Sequence, residues 1–221
     1  MKSAQQQNIN SSFSSIFRII LPLILSSLST NLMFLIDRFV LAYYSIDSMN
    51  AAMMGGNLAG IFTLLLMSIA GTTEIFVGQY NGGNHDDKIA SPIWQMIYFS
   101  ILSLIIFIPI GYFSDIINLI PPYYESDGVP YQRLLTYFCW LPCLVAAFTG
   151  FFVGRGKTGF ITHVVIIGNV LNVFLDILLV FGYKNIIPMM GCRGAAIATV
   201  ISESVQAIIL AIAFWSRYNR T

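Results

Sequence analysis

ITHVVIIGNVLNVFLDILLVF, residues 161–181, is an apolar run long enough to cross a membrane as one helix. A transmembrane helix needs roughly 20 predominantly apolar residues, because each adds about 1.5 Å across a hydrocarbon core about 30 Å thick. The run also holds one carboxylate, Asp176. An ionised carboxylate at the centre of a membrane costs about 3 kcal/mol or more, so it needs a partner, a bound cation or a proton. Asp176 is therefore a candidate functional residue.

Five more apolar runs occur along the chain, and the six together predict an all-α integral membrane protein with six transmembrane helices. The other five cover about residues 17–44, 57–77, 93–117, 134–153 and 194–215. Pro22 lies in the first turns of the first run, where its missing N–H and its ring predict a kink. The chain is expected to divide into a cytoplasmic N-terminal tail at 1–15, a six-helix transmembrane lobe at 16–216, and a cytoplasmic C-terminal tail at 217–221.

The composition argues against several classes of function. Of the 221 residues, 57% are hydrophobic and 10% are charged, whereas soluble domains carry about 25% charged residues. The net charge of +1 leaves no basic excess to neutralise phosphates, so no nucleic-acid partner is expected. The connections are too short for a catalytic domain, and no GxxxxGKS/T motif occurs. We therefore expect that the chain is not an enzyme, and in particular not an intramembrane protease. We also expect no cofactor other than a coupling ion.

The lysine and arginine residues predict the orientation in the membrane. Cytoplasmic connections carry an excess of these residues. With six spans, the side that holds both termini carries Lys2, Arg18, Lys88, Arg155, Lys157, Arg217 and Arg220. The opposite side carries Arg133, Lys184 and Arg193. We expect a multi-pass protein of the inner (plasma) membrane with both termini in the cytoplasm.

Four polar side chains are predicted to meet in the outer half of the membrane. At about 1.5 Å per residue, Asp37 lies roughly 30 Å along the first span and Asp176 roughly 20 Å along the fifth. Thr199 follows about one to two turns after the sixth span enters from outside. Asn172 precedes Asp176 by four residues, so both project from one helix face. These four residues are the candidate ion-coupling site.

Three interpretations of this group stay open from the sequence. Two carboxylates, an amide oxygen and a hydroxyl supply the hard oxygen ligands that a small cation such as Na⁺ can bind. The carboxylates can equally share a proton, because like charges close together disfavour double ionisation. A buried hydrogen-bond network that only joins the helices is the third. Glu203, one turn beyond Thr199, either lines the lobe or makes a packing hydrogen bond.

Four stretches of the chain carry a resemblance to a known family. They are LPLILSSLSTNLMFLIDRFVLAYYSIDSMNAA at 21–52, GTTEIFVGQYNGGNHDD at 71–87, GNVLNVFLDILLVFG at 168–182 and GCRGAAIATVISE at 191–203. In this order the chain resembles the N-terminal half of multidrug and toxic compound extrusion (MATE) transporters. The resemblance implies a fold of twelve helices in two six-helix lobes. It also implies a secondary antiporter that exports amphipathic, cationic drugs or metabolites in exchange for H⁺ or Na⁺.

The resemblance also implies roles for particular residues. Asp37 would be the first-helix carboxylate, Asn172 and Asp176 the fifth-helix pair, and Thr199 the sixth-helix hydroxyl. Pro22 would be the point at which the first helix bends. Since the chain holds one lobe, its partners would be a small-molecule substrate, membrane lipid and a second six-helix lobe. That lobe would be a missing C-terminal half, a separate chain or a second copy.

Two alternatives to the antiporter are kept. One is a flippase of lipid-linked precursors from the same wider superfamily, which a cleft lined by basic residues would favour because such substrates carry phosphates. The few basic residues within the predicted spans favour the antiporter instead. The other alternative is a fragment that does not transport on its own.

Overall fold

Over the residues that the computed structural model describes, 13–115, 119–184 and 186–218, the protein is a bundle of α-helices. Seven helices follow one another: α1 Phe13–Tyr44, α2 Ile46–Gly82, α3 Ala90–Tyr112, α4 Glu125–Tyr137, α5 Trp140–Gly154, α6 Thr158–Phe181 and α7 Cys192–Tyr218. Short 3₁₀ turns cover Asp86–Lys88, Phe113–Asp115 and Pro122–Tyr124. The described part contains no β-strand, which agrees with the all-α prediction. The predicted tails lie outside the described residues, apart from 13–15 in α1 and 217–218 in α7.

Six membrane crossings are present when α4 and α5 are counted as one broken span. Five helices are individually long and apolar enough to cross, and α4 with its preceding turn forms the sixth together with α5 across a 43° bend. The prediction of one continuous fourth helix over 134–153 is wrong. Pro142 explains the break, because it has no N–H to donate to the Phe138 carbonyl four residues earlier. The Leu141 N–H donates to that carbonyl instead, at 2.9 Å.

The connection between α1 and α2 is shorter than the sequence suggested. A single residue, Ser45, separates the two helices, with φ −165° and ψ 131°. Its hydroxyl accepts the Ser48 N–H at 3.4 Å, and its own N–H donates to the Leu41 carbonyl at 2.8 Å. The α2 helix is 37 residues long, well beyond the predicted span at 57–77. It therefore extends outside the roughly 20 residues that a membrane crossing requires.

Two groups of helices make up the lobe. Helix α1 packs mainly on α6, and α6 packs on α7, whereas α2 packs on α4 and α5. Aromatic rings join α5 to α7, with Phe214 centred 5.1 Å from Phe151 and 5.6 Å from Phe148. Gly150 allows close approach of α5 to α2, because a Cβ there would lie 2.7 Å from the Glu74 backbone nitrogen.

Helix α1 continues through Pro22 as one helix from Phe13 to Tyr44. Apart from those that contact α6, most of the large apolar side chains of α1 lie on the exposed surface of the lobe. The first helix is therefore held mainly from one side, by α6. A bend at Pro22 stays a prediction.

Candidate functional site

Helices α1, α6 and α7 bring the four predicted polar residues together. The Asp37 carboxyl of α1 lies next to the Asp176 carboxyl of α6, close enough to share a hydrogen bond when one of the two is protonated. Asn172 lies one turn before Asp176, and Thr199 of α7 is its neighbour. Asn172 and Asp176 have 0% of their surface exposed, whereas Asp37 and Thr199 are half-buried. We call these four residues the carboxyl cluster.

The Asn172 amide connects the two sides of the carboxyl cluster. With Nδ2 toward α1, Asn172 donates to Asp37 Oδ1 at 2.9 Å, and its oxygen accepts the Thr199 backbone N–H at 3.3 Å. With the amide reversed, Nδ2 donates to Thr199 Oγ1 at 3.4 Å and the oxygen faces acceptors. An ionised carboxylate can only accept, so an ionised Asp37 favours the first orientation and a protonated Asp37 permits the second.

The contact between the two carboxyls has a chemical consequence. A hydrogen bond between Asp37 and Asp176 requires one proton on the pair, because two ionised carboxylates have no donor between them. The buried Asp176 Oδ1 has no hydrogen-bond partner within the described residues. The oxygens of these four side chains fit the donor set of a small hard cation, and the pair also fits a shared proton. The described residues contain no group of three His, Cys, Asp or Glu side chains arranged for a metal.

Tyr131 of α4 is a neighbour of the carboxyl cluster that the sequence did not reveal. Its phenol is within electrostatic range of both Asp37 and Asp176. Its ring packs beside Gly56, where a Cβ would lie 3.3 Å from Tyr131 Cε1. The predicted fourth span begins at 134, so the sequence places Tyr131 in the connection before it. Helix α4 begins at Glu125, and this earlier start places Tyr131 against the cluster.

Glu203 lies on α7, one turn beyond Thr199, and is half-buried. Its charge interacts with Cys139, the residue just before α5 begins. Glu203 is therefore within electrostatic range of the break between α4 and α5. Whether it lines the lobe or only packs stays a prediction.

A second polar contact joins α1 to α6 at Pro22. The Pro22 carbonyl accepts from Thr162 Oγ1 of α6 at 2.8 Å and from Ser26 Oγ at 3.0 Å. The two hydroxyls lie 3.1 Å apart. Each hydroxyl has one proton, so a hydroxyl that donates to the other hydroxyl cannot donate to the Pro22 carbonyl at the same time. We call Pro22, Ser26 and Thr162 the hydroxyl clasp.

A third polar contact lies between the hydroxyl clasp and the carboxyl cluster. Asn169 Nδ2 of α6 donates to Ser29 Oγ of α1 at 2.9 Å. Thr162, Asn169 and Asp176 are spaced seven residues apart, so they share one face of α6. The contact between α1 and α6 thus contains polar groups along its whole length, as is common where membrane helices associate.

Comparison with known proteins identifies the family. The MatE family model matches residues 22–178, which is more than half of the chain. The chain belongs to the MATE family. It is 27% identical over 187 residues to a probable multidrug resistance protein NorM from Thermotoga maritima, covering 82% of this chain and 40% of that protein. It is 26% identical over 159 residues to a probable multidrug resistance protein YoeA from Bacillus subtilis, covering 69% of this chain and 34% of YoeA.

A solved structure shows the same fold. It is a multidrug resistance MATE family transporter of the MOP superfamily in its outward-facing conformation. The match has a TM-score of 0.75 at 19% identity, over 92% of this chain and 45% of that structure. The chain thus spans less than half the length of these relatives, as expected for one six-helix lobe. The predictions of a membrane protein and of a MATE lobe are confirmed.

Proposed function

We propose that this chain is the N-terminal lobe of an ion-coupled transporter that exports amphipathic, cationic drugs or metabolites. The observation that carries the proposal is the Asp37–Asp176 contact between α1 and α6, with Asn172 and Thr199 beside it. The two relatives named multidrug resistance proteins support drug export.

The coupling follows from the chemistry of the carboxyl pair. A shared proton or a bound Na⁺ compensates the buried charge, and its loss leaves two carboxylates to repel each other across α1 and α6. Because α1 is held mainly by α6, this repulsion changes the contact on which the position of α1 depends. Pro22 supplies a point at which the helix can bend. The ion is therefore H⁺ or Na⁺, and the moving element is α1.

The lobe works with a second six-helix lobe in the plasma membrane, with both termini of this chain in the cytoplasm. Support comes from the partial coverage of the relatives and from the distribution of lysine and arginine. The substrate is a small molecule held between the lobes. No cofactor other than the coupling ion takes part, and no covalent catalysis is involved.

The alternative function, a flippase of lipid-linked precursors, is favoured by one observation. Arg133 and Arg193 line the same groove between α4 and α7, and guanidinium groups bind phosphates well. The carboxyl cluster is compatible with either substrate and does not distinguish the two functions. A transport assay with a cationic dye against a lipid diphosphate distinguishes the two functions.

Ion binding by the purified chain tests the proposal without requiring the second lobe. Radioactive Na⁺ binding and infrared difference spectra of carboxyl protonation are recorded for the native chain, Asp37→Asn and Asp176→Asn. Each variant keeps the side-chain size and loses a titratable oxygen, so we expect it to lose the Na⁺-dependent or pH-dependent signal. The matched control is Asp47→Asn, an exposed carboxylate at the start of α2.

The outcomes separate the possibilities clearly. Loss of signal in both cluster variants, with Asp47→Asn unchanged, supports ion coupling. A native signal in either folded cluster variant removes the proposal and leaves a hydrogen-bond network that only joins helices. In efflux-deficient cells expressing this lobe with its second lobe, the same two variants should abolish ion-driven efflux.

A further inference from the structure

The groove between α4 and α7 lies apart from the contact between α1 and α6 and has a volume of about 270 Å³. It is lined by Pro130, Arg133, Leu134, Tyr137, Arg193, Ala196 and Ile197. The α4 residues are spaced i, i+3, i+4 and i+7, and the α7 residues are spaced i, i+3 and i+4. Each helix thus presents one face to the groove. Nothing in the proposed ion coupling uses these side chains.

The end of α3 and the turn after it hold two of the lining side chains in place. Arg133 Nε donates to Ser114 Oγ at 3.2 Å, which orients the guanidinium plane. The Tyr137 ring lies directly on Gly111, where a Cβ would be 2.7 Å from two ring carbons. The α4 side of the groove is therefore a supported surface with a fixed arginine.

The charges of the lining residues favour an anion. Two guanidinium groups line the groove, and none of the residues that line it is acidic. Asp127 of the same helix is outside the lining, and its Oδ2 accepts from Ser48 Oγ of α2 at 2.7 Å. Guanidinium groups present planar donors that match the oxygens of a phosphate.

The shape and position of the groove indicate what carries the anion. Arg193 is in the first turn of α7, at the end of the lobe predicted to face outside, whereas Leu134, Ala196 and Ile197 supply apolar walls. A volume of about 270 Å³ is below the usual range of drug-sized pockets, about 300–1,000 Å³. A charged mouth with apolar walls, at the predicted outer end of the lobe, fits a headgroup with its acyl chains extending into the membrane.

We propose that this groove binds the phosphate headgroup of an anionic phospholipid from the outer leaflet. The two arginines hold the phosphate, and the apolar walls contact the start of the acyl chains. The site acts whichever small molecule the complete transporter exports, and it does not depend on the carboxyl cluster.

Native mass spectrometry of the purified full chain tests the lipid site. The chain is presented with equal amounts of phosphatidylglycerol and phosphatidylcholine, and the retained lipid is measured. We expect preferential retention of phosphatidylglycerol, with affinity falling about tenfold for each guanidinium removed in Arg133→Gln and in Arg193→Gln. Arg193 is exposed, so Arg193→Gln provides a variant that does not disturb the Ser114 contact.

The control is Lys184→Gln, which removes a positive charge from the same side of the lobe and outside the groove. Retention in this variant should equal that of the native chain. Equal retention of the two lipids by the native chain, or the same loss in Lys184→Gln as in Arg193→Gln, overturns the proposal. The proposal is also overturned if inorganic phosphate displaces the bound lipid at the same concentration at which added lipid displaces it. The site would then bind a free anion.

Discussion

The Tyr131 phenol lies within electrostatic range of Asp37 and Asp176, the carboxyl pair proposed to hold an ion. A phenol whose dipole lies in the field of an ionised carboxylate can stabilise the charged form to which Na⁺ binds. We therefore expect Tyr131→Phe to keep the ring contact with Gly56 and to weaken Na⁺ binding by about twofold to fivefold, through loss of the hydroxyl dipole. Radioactive Na⁺ binding to the purified chain measures this change.

The control for this variant is Tyr98→Phe on α3, which removes the hydroxyl of a tyrosine that is 65% exposed. If the two tyrosine variants bind Na⁺ equally, Tyr131 acts only through packing. A loss of folded protein in Tyr131→Phe but not in Tyr98→Phe would also indicate a structural role for Tyr131, in this case for its hydroxyl, since the ring is retained.

The positions of single residues in the carboxyl cluster could be predicted because depth follows from counting. The rise of a helix placed Asp37, Asn172, Asp176 and Thr199 in one layer, and the structure brings these side chains together. Their role in ion coupling stays a prediction. Tyr131 could not be assigned in the same way, because its position depends on where α4 begins. Glu203 shares a helix face with Thr199, and the structure places it within electrostatic range of Cys139.

At the level of helices, the hydroxyl clasp joins the N-terminal half of α1 to α6. Thr162→Val keeps the side-chain shape and removes the donor that α6 contributes to the Pro22 carbonyl, leaving Ser26 Oγ of α1 itself. Hydrogen bonds between membrane helices contribute about 0.6 kcal/mol on average and at most about 1.7 kcal/mol. We therefore expect the amides of α1 around Pro22 to exchange with deuterium about threefold to tenfold faster.

A matched control for the clasp is Thr63→Val. Thr63 Oγ1 donates to the Ala59 carbonyl at 3.1 Å within α2, so this substitution removes a hydrogen bond inside one helix. Exchange around Pro22 should be unchanged in this control. Unchanged exchange in Thr162→Val as well would show that packing alone positions α1.

The helices themselves were predicted unevenly, for physical reasons. Apolar runs of about 20 residues identified all six crossings, because lipid imposes both length and composition. The break at Phe138 was missed, although Pro142 signals it, because hydropathy does not register a lost backbone hydrogen bond. The extent of α2 was missed because its N-terminal part, from Ile46, packs on α4 and is less apolar than the membrane requires. The tertiary contact maintains that part of the helix.

For the whole molecule, the orientation in the membrane decides whether the carboxyl cluster and the arginine groove face outward. The lysine and arginine distribution predicts that the turn after α2 is cytoplasmic and the loop before α7 is outside. The native cysteines are buried, so an introduced thiol can be labelled with little background. Asn81→Cys and Ile186→Cys place thiols at exposed positions on the two sides. In intact cells we expect a membrane-impermeant maleimide to label Ile186→Cys, and to label Asn81→Cys only after permeabilisation. Reversed labelling would place the carboxyl cluster near the cytoplasm. It would also contradict the proposal that an outer-leaflet lipid binds in the groove, since Arg193 and residue 186 lie at the same end of the lobe.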